Sequence, residues 1–127
     1  MSVRIILYQE PDGACQVLEF LMAQSVRAQM QARKRLSLLA EHGYQLHRPY
    51  ADYLEDGIYE LRWRSGKVQF RILYFFHGLS AVILAHALAK EDVVPPADLA
   101  RAKQRKANFH AAPATHTRTY PGEFPPA

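Results

Sequence analysis

Cysteine is nearly missing from this chain: Cys15 stands alone among 127 residues. A lone cysteine makes no internal disulfide, so the fold must rest on its apolar core, and a reducing cytoplasm is the expected setting. Long apolar runs are missing too. The longest, Ile72 to Ala89, is broken by His77, Gly78, Ser80 and His86, short of the roughly 20 apolar residues that cross a bilayer. No membrane partner is expected. Met1 to Tyr8 has no small-residue cleavage site, which argues against a signal peptide. There is no Gly-rich phosphate loop, no paired-cysteine zinc pattern and no Gly-x-Ser-x-Gly elbow. The six histidines form no i,i+4 helical pair, so neither a metal nor a cofactor is expected.

Carboxylates are missing from two long stretches. From Leu61 to Lys90 there is none, while Arg62, Arg64, Lys67, Arg71 and Lys90 are present; from Leu99 to Gly122 there is none, beside Arg101, Lys103, Arg105, Lys106 and Arg118. Residues 1–60 carry net charge −2 and residues 61–127 carry +6. A concentrated positive field attracts a polyanion such as nucleic acid, or an acidic protein segment, and Arg64, Lys67, Lys103, Arg105 and Lys106 are the candidate cations, RNA-binding ones if that polyanion is RNA. The competing reading is a solvated basic face. The Arg33-Lys34-Arg35 triplet fits that reading best.

What is present is an ordinary globular balance, 49% hydrophobic and 22% charged, with room for one domain. Arg4 to Tyr8 reads as a strand, closed by the turn cluster Glu10-Pro11-Asp12-Gly13; Asp12 is a candidate helix cap. Val17, Leu18, Leu21 and Met22 repeat at helical spacing, as do Ala32, Leu36, Leu39 and Ala40 before Gly43. Tyr44 to Asp56 reads as a connector. The period then becomes two. Tyr59, Leu61 and Trp63 face one way, and Glu60, Arg62 and Arg64 the other. Ser65-Gly66 reads as a tight turn into a strand with Phe70, Ile72 and Tyr74 on one face and Arg71 on the other. Ser80 to Ala89 is apolar on both faces, as a central strand is. Pro95-Pro96 opens a last helix. The spacing predicts an α+β fold: a small antiparallel sheet packed against N-terminal helices, with a C-terminal helix. The domain is expected over residues 1–110. Residues 111–127, with four prolines, read as a flexible tail apart from the core.

Two side-chain sets bear on chemistry. Glu60, Arg62, Arg64 and Arg71 share one hairpin face, with Arg62 and Arg71 close across the ladder. A bridging Glu60 would make this a structural ion-pair ladder; a bound phosphate would make it a clamp, because guanidinium donors match phosphate oxygens. His86 shares even parity with Leu84 and Leu88, and is either a satisfied core histidine or a catalytic group. Lys90 ends the same strand, within reach of the mouth of a site. Cys15 reads as a buried structural thiol more readily than as a nucleophile.

Four runs carry a resemblance. They are Pro49-x4-Leu54-x-Asp56-Gly57-Ile58-Tyr59-Glu60-Leu61-Arg62, then Phe70-Arg71-Ile72-Leu73-Tyr74-Phe75-Phe76, then His86-Ala87-Leu88-Ala89-Lys90, and finally Pro95-Pro96-x-Asp98-Leu99-x-x-Ala102. Together, over about residues 3–109, they resemble the phage-derived branch of the RelE/HigB-like toxins of bacterial type II toxin–antitoxin systems. The resemblance implies a RelE-like fold and a metal-independent endoribonuclease, an mRNA interferase. It would cleave ribosome-bound mRNA and inhibit translation, neutralised by a cognate antitoxin, expected to be a helix-turn-helix protein. On matching positions it implies Arg62, Arg71 and Lys90 as substrate-facing cations and His86 as a site residue. For such a reaction Glu60 or His86 could serve as the base, and Glu60 could equally be the group that orients Arg62 or Arg71. Glu91 stands where the family often has a second lysine. That departure favours the alternative, a non-catalytic protein of the same fold that binds antitoxin or RNA without cutting.

Overall fold

The computed structural model describes residues 2–89 and 92–119. Strand β1 (Arg4–Tyr8) is followed by helices α1 (Gln16–Met22) and α2 (Val26–His42) and a 3-10 turn, Gly43–Gln45. Four strands come next: β2 (Ala51–Glu55), β3 (Ile58–Ser65), β4 (Val68–His77) and β5 (Ala81–Ala89). Helix α3 (Pro96–Ala111), the short α4 (Pro113–His116) and β6 (Thr117–Thr119) complete it. Ser25 caps α2, its Oγ accepting from Ala28 N, and Gly43 ends α2 at a positive φ that glycine tolerates. Asp12 does not cap α1; its Oδ1 accepts from Ala14 N instead. Among the described residues no helix is long and apolar enough to cross a membrane.

The architecture is α+β, but the sheet is mixed where an antiparallel one was expected. Its order is β2-β3-β4-β5-β1-β6. β1 runs parallel to β5, from Arg4↔Ala81 to Leu7↔Leu84, and the other pairs are antiparallel. Both parallel strands are apolar on both faces, and parallel pairing belongs in a sheet covered on both sides. The connector expected over Tyr44 to Asp56 contains β2, which pairs with β3. It is a short edge strand with Asp52 and Glu55, a composition that gives weak strand signal.

The chain beyond Ala111, expected to lie apart from the core, is tied in as far as Thr119. β6 pairs with β1, and His116 is buried, stacked on Tyr8 at 4.8 Å with Nδ1 donating to Gln9 O. One aromatic contact and a three-residue strand leave no periodic pattern in the sequence. The rest of that tail, Tyr120 to Ala127, lies outside the described residues.

Two cores flank the sheet. On one face Leu7, Leu61, Trp63, Ile72, Tyr74 and Leu84 meet Val17 and Leu21 of α1 and Ala32, Leu36 and Leu39 of α2. On the other, Ile6, Ile58, Leu73, Phe75, Ile83 and Ala85 meet Ala102 and Phe109 of α3. Fully burying each such Leu, Ile or Phe contributes roughly 1.5–3 kcal/mol. Cys15 belongs to the first core, and burial raises its thiol pKa, as for an inert structural cysteine.

Candidate functional site

The β3–β4 turn is Gly66-Lys67, one residue later than the Ser65-Gly66 reading, because Ser65 pairs with Val68. Gly66 supplies the positive φ the turn needs. The shift makes Arg62 and Arg71 direct cross-strand partners, with Glu60 opposite Leu73 in the next row. Glu60, Arg62 and Arg71 line a cleft of about 410 Å³ on the α3 side of the sheet, together with Leu54, Asp92, Val93 and Val94. Glu60 and Arg71 are each only 6% exposed. Arg71 Nε lies 3.2 Å from Glu60 Oε1, yet the approach lacks hydrogen-bond alignment. Among the described residues Arg71 Nε and Nη1 and Glu60 Oε1 have no hydrogen-bond partner. Burial pushes the Glu60 carboxyl above its ordinary range, against the opposing pull of Arg71 and Arg62.

His86 sits beside this cleft, in a different bonding state. A bulge lies in β5: Tyr74 pairs with Leu84 and Leu73 with His86, leaving Ala85 as the extra residue. The bulge breaks the parity that grouped Leu84, His86 and Leu88. Leu84 packs with α1 and α2, whereas Leu88 packs on the α3 side, and His86 turns with it toward α3. Its Nε2 lies 2.7 Å from Asp98 Oδ1 and its Nδ1 lies 3.0 Å from Arg105 Nη1. A guanidinium only donates, so Nδ1 accepts and Nε2–H donates to Asp98. Burial holds the imidazole pKa below its ordinary value, outweighing the Asp98 hydrogen bond.

The expected RNA-binding cations divide. Arg64 and Lys67 are exposed at the hairpin end; Arg64 Nη1 donates to Lys67 O at 3.2 Å. Arg105, expected on the surface, is 6% exposed instead. It donates to Ala85 O at 2.8 Å, and its Nε lies 3.3 Å from Glu10 Oε2. Lys103 pairs with Glu55 and Asp56, and Lys106 donates to Asp56 O, so both tie α3 to the β2–β3 turn. Helical periodicity puts Arg105 near Ala102 and Phe109, but charge made it look solvent-facing. Lys90 and Glu91 lie outside the described residues.

Asp98, Glu10, Leu54 and Asp92 were missed as members of these clusters. Asp98 had a signal only as a first-turn acid on α3; its pairing with His86 is tertiary. Among the described residues no three His, Cys, Asp or Glu side chains converge as metal ligands do.

These features define an α+β domain with a cleft built on two arginines and a buried carboxylate. Residues 19–107 match the family described as Phage derived protein Gp49-like (DUF891), and the chain belongs to that family, which is associated with toxin–antitoxin modules. No curated protein matches the chain.

Proposed function

We propose that this chain is the toxin of a toxin–antitoxin module: a metal-independent, ribosome-dependent mRNA endoribonuclease that inhibits translation, with a helix-turn-helix antitoxin as partner. One observation carries the reading. Arg71 is a buried guanidinium on the wall of an open cleft, across the ladder from Arg62, with Nη1 unpartnered among the described residues. A buried donor without an acceptor is costly, and a phosphate oxygen offers both acceptor and countercharge in bidentate geometry. Family membership and the RelE/HigB-like motifs support the same reading.

The chemistry needs no metal. The ribose 2′-oxygen attacks the adjacent phosphorus and the bond to the 5′-oxygen breaks, leaving a 2′,3′-cyclic phosphate and a 5′-hydroxyl. The 2′-hydroxyl proton goes to a base, and the leaving oxygen takes a proton from an acid. Arg62 and Arg71 stabilise the charge that develops on the phosphoryl oxygens. Glu60, whose raised pKa brings it nearer the working pH, is the base. The ribosome aligns the transcript in the cleft. Lys90, outside the described residues, would add a third cation.

A second reading is favoured by the 3.2 Å Glu60–Arg71 approach: a self-neutralised pair in a protein that binds antitoxin or RNA without cutting. Transcript cleavage in a translating extract, measured beside the thermal midpoint, separates the two. Arg71→Ala is expected to slow cleavage by roughly 30- to 1,000-fold, the equivalent of about 2–4 kcal/mol, while the protein still folds. Arg71→Lys restores only part, because an ammonium lacks the bidentate fork. A wild-type protein that cuts nothing while binding the product of a neighbouring reading frame would replace the first reading by the second.

A further inference from the structure

His86 is the residue at this face whose bonding is most complete. Both ring nitrogens are engaged, Nε2 with Asp98 and Nδ1 with Arg105. Arg105 in turn donates to the carbonyl of Ala85, the bulged residue itself. Asp98 and Arg105 are seven residues apart on α3, two turns along one face, and they straddle the imidazole. Asp98 lies in the first turn of α3, four residues after Val94. Val94 packs in the α3-side core with Leu54, and Asp92, Val93 and Val94 line the Arg71 cleft. On the strand side, His86 pairs with Leu73 and two residues later Leu88 pairs with Arg71. The same imidazole therefore touches the anchor of one cleft wall and stands one ladder row from the other.

We propose that His86 is a positioning residue: clasped between Asp98 and Arg105, it latches the first turn of α3 to the β5 bulge and so sets Asp92–Val94 against Arg62 and Arg71. A ring with neither nitrogen available takes no proton from a 2′-hydroxyl while the latch is closed. The latch acts on the cleft's width and on the approach of its walls. Charged and titratable groups face it from every packed element: Asp98, Arg101 and Arg105 from α3, and Glu10 and Tyr8 from the β1 end. The functional consequence rests on the ribonuclease reading; the latch itself does not.

The test uses the full chain with His86→Ala, Asp98→Ala, the double variant and Asp98→Asn. Nitrogen-15 spectra of wild type at pH 7 should show His86 neutral with the proton on Nε2. Amide resonances of Asp92, Val93 and Val94 should move in both alanine variants and stay close to wild type in Asp98→Asn, whose amide oxygen still accepts from Nε2–H. At saturating ribosomes, single-turnover cleavage should fall roughly 10- to 100-fold in each alanine variant, the scale of a small misplacement of catalytic groups. The double variant should lose no more than the worse single one, and Asp98→Asn should cut nearly as wild type. A wild-type His86 carrying its proton on Nδ1, or unmoved Asp92–Val94 amides, overturns the latch whether or not the protein cuts RNA. Asp98→Ala cutting normally while His86→Ala does not overturns it in favour of a direct catalytic role. Activity losses that match the loss of folded protein overturn it in favour of a structural one. A wild type that cuts nothing, with the spectra as expected, removes the ribonuclease reading and leaves the latch standing.

Discussion

Arg71 and Arg105 project from opposite sides onto the same interface, one from β4 and one from α3, and each is 6% exposed. Arg105 spends its guanidinium inside the protein, on Ala85 O, on His86 and beside Glu10. Arg71 faces a single carboxylate, misaligned for hydrogen bonding, and an open cleft. Both Nε atoms lack a hydrogen-bond partner among the described residues, so the difference rests on Nη1, which is bonded in Arg105 and unpartnered in Arg71. One arginine is a bolt between β5, α3 and the end of β1; the other keeps donors in reserve. The difference lies in what surrounds them. Arg105 is covered by helix and sheet together, whereas Arg71 lies past the end of α3's cover, where, among the described residues, Leu54 and Asp92–Val94 line the facing wall.

Removing the bolt should have the largest effect on stability. Arg105→Ala leaves the Ala85 carbonyl and His86 Nδ1 without their donor, at about 1–3 kcal/mol for each buried group left unpaired, while Glu10 is partly exposed and adds little. A thermal melt should show a fall of many degrees, and the protein that stays folded should also cut more slowly, because one half of the His86 clasp is gone. Arg71→Ala leaves the buried Glu60 carboxyl without its countercharge, so it too should lower the melt; its mark is cleavage falling by about 2–4 kcal/mol equivalent in the protein that stays folded. If both variants slow the folded protein alike, the contrast between them fails.

A truncation after Ala111 sharpens the comparison from the far edge of the sheet. It removes β6, the His116–Tyr8 stack and the His116 bond to Gln9 O. Since Tyr8 also meets Asn108 and Glu10, the loss should reach the Arg105 region. About 1–3 kcal/mol is expected, read as a lower denaturant midpoint than a chain ending at Thr119. Equal midpoints would show that β6 contributes nothing.

The smallest effects are in the pH dependence, and the two regions should respond with opposite signs. Burial raises the Glu60 pKa above its ordinary 4.5, so the folded state holds that proton more tightly. The stability this gives is present below the ordinary value and is lost as pH rises through the raised one. Burial lowers the His86 pKa below its ordinary 6.5. The stability this gives is present above 6.5 and is lost as pH falls through the lowered value. The melting difference between wild type and Glu60→Gln should therefore turn against wild type on raising the pH from 4. That between wild type and His86→Gln should turn against wild type on acidification below 6.5. Parallel slopes would mean that one of the two environments is wrong.

Elements with a repeating pattern were legible before any coordinates. α2, α3 and the β3–β4–β5 meander follow from period and punctuation, and so does the nearness of Arg62 and Arg71 across a tight turn; their direct pairing came only with the turn one residue later than the pattern placed it. Elements without a pattern were not. β2 is short, polar and at an edge. β6 is three residues in a proline-bearing tail, held by pairing with β1 rather than by its own propensity. The bulge in β5 has no sequence mark, and it alone decides which way His86 points.

The sequence by itself determined the α+β class, one apolar face on β3 and β4 with a β5 apolar on both, and the placing of Glu60, Arg62 and Arg71 on one side of a hairpin, because periodicity and turn chemistry are local. Only the tertiary structure decided which cations are committed. Arg105, Lys103 and Lys106 look like one basic helix end in the chain, and each finds a partner 48 or more residues away, or across a packed interface, that no local rule supplies. Charge is written in the sequence, but desolvation and pairing depend on which surfaces meet, and that is settled when α3 closes over the sheet.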